Sequence, residues 1–392
     1  MKKLSILFLA GFFFVVSIQA QDKSNEPASR PVFQVDFVYP TADKPQSKLW
    51  YKDGCWWTIL PRSGGPSLWQ RTGSGWKEHP EVNKALAGVP GRADVWADKD
   101  GVTAVGVTAD SLVVFRLTAR HPDGAWDARV LGVLKPPAGK ENIETATITR
   151  DGKGEWWVAA DGTHTIYTWH SVDGKLWSKA ILLKDGVNKD DISVITTLHG
   201  SVLETWSNQD EEAVQYRLHI DGHAETDWGP QGIVEAGHKT ADDHLHTALT
   251  PDGTVWLVSK NSVDSNGYPQ LVLRVRHLSG GWSNFPYAPR TAKAEPSRPV
   301  IMATPDGSLL AGHTIYDKTD RNHDRIEFGR IDTTAAGILV NKRVVILPAA
   351  ELHAKVNDCT VSKAPFPADG PWIVLASDAE GRVYEVDLRQ LL

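Results

Sequence analysis

The chain is poor in cysteine and methionine, with two of each in 392 residues. Cys55 and Cys359 can form at most one disulfide, so no disulfide framework holds this fold together. Long apolar runs are equally scarce. The one near the N-terminus, Leu4 to Val16, falls short of the roughly 20 residues that a membrane-spanning helix needs. No segment of useful length repeats its apolar residues with a helical period, which argues against an α-helical or α/β organisation. Lys/Arg clusters are missing too, and the formal net charge is −6. That balance argues against nucleic acid as the main partner.

What the N-terminus does have is the pattern of a secretory signal. Lys2 and Lys3 form a basic start, the apolar run follows, and Ser17-Ile-Gln-Ala20 ends in a small residue. Residues 1–20 are therefore expected to be removed before Gln21. With no cysteine at the cut, a lipid anchor is not expected. Loss of Lys2 and Lys3 takes the net charge from −6 to −8. The expected location is secreted or periplasmic, with no membrane span after cleavage. Residues 21–30 read as a short disordered lead-in, and residues 31–392 as one domain, expected to be monomeric.

Tryptophan is abundant, with 16 copies, and its placement is periodic. Asp-Gly turns recur as Asp53-Gly54, Asp100-Gly101, Asp151-Gly152, Asp252-Gly253, Asp306-Gly307 and Asp369-Gly370, with His199-Gly200 in the remaining slot. The glycines are spaced by 47, 51, 48, 53, 54 and 63 residues. Asp-Gly between short apolar runs signals a hairpin, because glycine accepts the positive φ of such turns. A second marker runs in step: Trp76, Trp126, Trp177, Trp228 and Trp282 each follow a turn and are expected to open an outer strand. Four short strands in about 50 residues, repeated seven times, make a seven-bladed β-propeller.

The inner strands are expected to begin near Lys48, Asp94, Thr145, Ile192, His244, Pro299 and Asn357. The last unit has only three strands before the C-terminus, so Val32 to Val38 is expected to close the ring as its fourth. Cys359 then falls on an inner strand and Cys55 at the start of a second strand, a geometry that favours two free thiols.

Chain direction sorts the loops. Asp-Gly turns crowd one face, here the lower. Inner-strand starts and second-to-third-strand loops share the upper face, where function is expected. The inner-strand starts contribute Arg92, Asp191, Asp243, His244, His246 and Arg298. The return loops contribute Asn208, Lys260, Tyr268, His313, Arg321 and His323. In Asp242-Asp-His-Leu-His246 the two histidines share one strand face. They read as hydrogen-bonded channel-wall groups, as catalytic or substrate-binding groups, or as ligands to a divalent metal such as Zn²⁺. No cofactor is required by the favoured reading. Arg321 and His323 could hold an anionic sugar, since a guanidinium fork matches a carboxylate.

Several segments resemble the BNR or sialidase-like secreted propellers. Ser171-Val-Asp-Gly-Lys-Leu-Trp177 is similar to a shortened Asp-box. Asp242-Asp-His, followed by Thr250-Pro-Asp-Gly253, and Ser297-Arg-Pro299 are similar to segments of the ulvan-lyase and rhamnose–glucuronate-processing propellers. The resemblance implies a polysaccharide lyase acting on an acidic, uronate-containing glycan. His244 or His246, Tyr268 and Arg298 or Arg321 would match that family's His, Tyr and Arg, with His313 as an alternative base. The Arg would neutralise the carboxylate while His or Tyr moves the C5 proton. Arg92, Asp191, Asn208, Asp243, Lys260, Arg321 and His323 would bind substrate. Two alternatives stay open: a glycoside hydrolase with carboxylates such as Asp191 and Asp243, and a non-catalytic carbohydrate- or protein-binding propeller.

Overall fold

The computed structural model describes residues 28–73, 75–120, 125–137, 142–334 and 337–392. The segment expected to be a secretory signal, residues 1–20, lies outside them. The strands form seven four-stranded antiparallel sheets. They span residues 49–78, 93–134, 146–185, 193–236, 245–289, 294–346 and 357–387, and are called blades 1 to 7 in that order. Blade 7 takes its outer strand from the N-terminal side, where Phe33–Gln34 pairs with Arg382–Asp387 in the register Phe33↔Val383. This closing strand is shorter than the expected 32–38, because the chain turns away after Val35 bonds to the Gly381 carbonyl. The end of the supposed lead-in is also held in place. Ser29 exchanges backbone bonds with Leu347 and Ala349, and Arg30 pairs with Glu351 at 2.6 Å.

The turns that mark the repeat do what their residues allow. Asp53 and Gly54 both take positive φ, at 52° and 77°, as a two-residue hairpin turn requires. Gly101 is needed for a different reason: a Cβ there would lie 2.1 Å from the Leu117 carbonyl oxygen. The Thr-Pro-Asp-Gly turns of blades 5 and 6 are the same device. Thr250 and Thr304 each donate to the aspartate two residues on, and that aspartate accepts the backbone N–H two residues further, of Thr254 and Ser308. The shortened Asp-box is likewise a turn. Asp173 accepts from the Lys175 and Leu176 amides, and Ser171 donates to the Leu176 carbonyl.

No tryptophan is exposed. Most lie between blades, where the apolar faces of neighbouring sheets meet. Trp157 is flanked by His170 and His219 at 4.3 and 4.4 Å, with Trp228 from the next blade at its edge. Trp126 packs edge-on against Trp50 and Trp57 of blade 1. Burial of such rings removes large apolar areas from water and ties each blade to its neighbour. Trp177 and Trp228 stand four residues ahead of the outer strands Ile181–Asp185 and Gly232–Ala236 rather than opening them. A short helix, Pro80–Ala85, joins blades 1 and 2. Both cysteines are free, as expected.

Candidate functional site on the upper face

The inner strands deliver their first residues to a ring around the channel mouth, and a strap of residues 39–48 crosses it. The strap runs from the outer strand of blade 7 to the inner strand of blade 1. Thr41 donates to the Asp358 carbonyl at 2.7 Å. Asp43 accepts from Arg92 of blade 2 at 2.8 Å. The Lys44 ammonium reaches Glu144 of blade 3 at 2.5 Å and Asp243 of blade 5. Ser47 is held by Asp94, whose other oxygen contacts Lys363. Tyr39, Asp43 and Lys44 take positive φ, a strained path that these contacts over-determine. Lys48 is fully buried, and burial lowers its ammonium to about 8 despite Asp43 nearby.

Beside the strap, Asp242, Asp243 and His244 form one cluster. His244 Nδ1 lies 2.8 Å from Asp242 and 2.5 Å from Asp243. Burial alone would raise the Asp243 carboxyl, but His244 and Lys44 bring it well below the usual carboxylate range. Asp242 also accepts from Lys260 at 3.0 Å and from the Ser262 hydroxyl at 3.1 Å. The three ligand atoms lie within 4.8 Å of one another. They do not fit a metal ion, because the Lys44 and Lys260 ammonium groups already occupy the carboxylates' cation positions.

A polar pocket of about 350 Å³ opens next to this cluster, between blades 4, 5 and 6. Gln209 and Glu212 come from the return loop of blade 4. Lys239, Thr240, Ala241 and Asp242 come from the approach to blade 5. Lys260, Ser262, Val263, Asp264 and Gln270 come from the return loop of blade 5, and Arg290 and Glu295 from the approach to blade 6. A separate, mainly apolar cavity of about 230 Å³ lies in the channel below the strap, with Leu49, Trp96, Ile195 and His246 among its walls.

The expected site residues divide. Asp243, His244 and Lys260 belong to the cluster, and Lys260 lines the pocket. Arg298 is on the same face but is committed: it donates to Tyr316 at 2.6 Å and to Asp358 at 2.7 Å. Both Arg298 and Asp358 take positive φ, at 54° and 42°. Arg92 is bound to Asp43. His246 is in the channel wall. Its Nδ1 accepts from the Ile301 amide, and burial together with Lys363 lowers it to about 3, so the ring stays neutral.

His244, Tyr268, Arg298 and His313, the candidate catalytic set, share no hydrogen bond or ion pair with one another among the described residues. His313 is mid-strand in Leu309–Asp317 and fully buried, opposite Glu327, because that strand runs past the point where a loop was expected. Tyr268 is 59% exposed and is not among the partners of His244 or Arg298. Asn208 ends the strand Ser201–Asn208, where it caps the Glu211 amide. Asp191 is buried and caps the amides of Asn188 and Gln209. Arg321 is bound to Asp324 and covers the Tyr316 ring at 4.4 Å, and the exposed His323 pairs with Asp320. The pocket residues missed from the sequence, among them Gln209, Glu212, Lys239, Asp264, Gln270 and Arg290, lie on or beside the loops singled out. Position marked them, but residue type alone did not set them apart from other polar loop residues.

No family model matches the chain, and no curated protein matches it in sequence. Solved structures align with much of the chain at low identity. An α-L-arabinanase of Penicillium chrysogenum, complexed with arabinobiose, is 14% identical with a TM-score of 0.45, over 74% of this chain and 94% of that one. An α-L-arabinofuranosidase of Fusarium graminearum is 11% identical with a TM-score of 0.45, over 72% and 92%. A thermostable family-43 glycoside hydrolase is 12% identical with a TM-score of 0.39, over 66% and 96%. At this level the likeness concerns the fold and carries nothing about chemistry.

Proposed function

We propose that this chain is a secreted carbohydrate-active enzyme that hydrolyses glycosidic bonds in the pocket between blades 4, 5 and 6. The observation that carries the reading is the pocket's lining: Asp242, held by His244, Lys260 and Ser262, beside three other carboxylates and several polar groups without partners. Hydrolysis needs one carboxylate that stays ionised and one that can deliver a proton. Asp242, held in place by Lys260, Ser262 and His244, is assigned the first of these roles. Asp264, exposed and without an ion pair among the described residues, lines the same pocket and is the second carboxylate of the proposed pair.

The lyase expected from the resemblance lacks its assembled parts. The Arg298 guanidinium is paired with Asp358 and the Tyr316 hydroxyl, and the exposed Tyr268 is not among its partners. The reading rests on the pocket and not on the likeness to arabinan-cleaving propellers. Its test is product analysis of the purified protein on a glycan panel. Hydrolysis releases reducing ends without ultraviolet absorbance. Unsaturated uronate products would instead establish a lyase and overturn the proposal.

A further inference from the structure

We infer that the pocket between blades 4, 5 and 6 takes a neutral, hydroxyl-rich sugar and disfavours a uronate. The inference rests on the hydrolase reading of that pocket and adds the substrate class to it. Three cations line the pocket, and each is already bound. Lys239 pairs with Glu212 at 3.1 Å, Lys260 with Asp242 at 3.0 Å, and Arg290 with Glu295 at 3.0 Å. Asp264 adds a fourth carboxylate with no ion pair among the described residues. Three positive and four negative groups leave the lining at −1.

A uronate carboxylate entering this space loses water and finds no uncommitted guanidinium fork. To gain one it must displace Glu295 from Arg290, which exposes one carboxylate in order to pair another. The groups that do lack partners are of a different kind. Gln270 is 1% exposed, and its Oε1 has no hydrogen-bond partner among the described residues. Nor have Gln209 Nε2 and Arg290 Nε. One acceptor, one amide NH2 and one guanidinium N–H, each on a different side chain, match sugar hydroxyls, each of which both donates and accepts. They do not match the paired acceptors of a carboxylate, which call for a fork.

Calorimetric titration of the full-length protein tests this. The probes are neutral pentose and hexose oligosaccharides, and galacturonate and glucuronate oligosaccharides of equal length. Neutral oligosaccharides should bind with little dependence on salt, and uronate oligosaccharides at least about tenfold more weakly, the scale of one unfavourable hydrogen-bond exchange. Glu295→Gln, which releases Arg290, should raise the ratio of uronate to neutral affinity about tenfold. Gln270→Leu should weaken neutral binding about tenfold while the melting temperature confirms folding. Uronate binding as tight as neutral binding, weakened by Gln270→Leu, would overturn the substrate class and leave the pocket as a sugar site. Neither class binding would overturn the hydrolase reading along with it.

Discussion

Replacing Lys44 by Met removes an ammonium that joins two sides of the channel mouth while keeping most of the packed stem. The group contacts Glu144 at 2.5 Å and Asp243 more closely still, with side-chain exposures of 9%, 30% and 24% for Lys44, Glu144 and Asp243. Breaking a buried ion pair from one side costs about 3–5 kcal/mol. Both carboxylates keep some access to water, so the expected loss is about 2–3 kcal/mol. In a chain of this length, with a melting response near 2 °C per kcal/mol, the midpoint should fall by about 4–6 °C. Denaturant unfolding and thermal melting of wild type and variant give the number. The pH dependence adds a second readout. Burial alone would lower the Lys44 ammonium, but Asp243 and Glu144 raise it above its ordinary 10.5. The Lys44 contribution is therefore fully present below that value and is lost as the pH rises through the native one. Wild type and variant should converge in strongly alkaline solution. A loss under about 0.5 kcal/mol, the size of an exposed pair, would refute the strap as a fastened element.

Three further outcomes follow from buried groups. Burial raises the Glu204 carboxyl well above its ordinary value, so its contribution is present below the usual carboxylate range and disappears as the pH rises through the native value. Glu204→Gln should flatten that part of the stability profile without destabilising at neutral pH, and an unchanged slope would contradict the assignment. His313→Ala should cost about 2–4 kcal/mol from the cavity it leaves, with activity retained in the folded fraction; loss of turnover at full folding would restore His313 to the site. Cys55 should react with a thiol reagent in the native protein and Cys359 only after unfolding, because Cys359 is buried and its thiol is pushed up by burial. Quantitative failure of both to react would point to a disulfide.

The fold was legible because its signal is local and repeated. The Asp-Gly turns fix hairpins through backbone geometry alone, and six inner strands start within one residue of expectation: Leu49, Ala93, Ala146, Ser193, Leu245 and Asn357. Blade 6 departs, starting at Ala294. Its strand continues through an irregularity between Ser297 and Val300, where Arg298 takes positive φ. The site was less legible because its geometry is tertiary. Where a strand ends decides whether a side chain reaches the face. Asn208 and His313 fell on strands that ran further than the turn residues suggest. Nothing within residues 39–48 announces that Lys44 reaches across the channel to blades 3 and 5, since both partners are more than 90 residues away. The lower-face segments that carried the family resemblance, Thr250-Pro-Asp-Gly253 and the shortened Asp-box, proved to be turn chemistry. Such turns specify a propeller and say little about its substrate.

The central claim is that Asp242 and Asp264 cut a sugar held between blades 4, 5 and 6. Turnover of Asp242→Asn and Asp264→Asn, measured by reducing-end release alongside melting temperature, tests it most directly. Each variant is expected to lose at least about a hundredfold in rate, the scale of a lost acid–base group, while staying folded. Folded variants that retain wild-type turnover would place the chemistry elsewhere and contradict it.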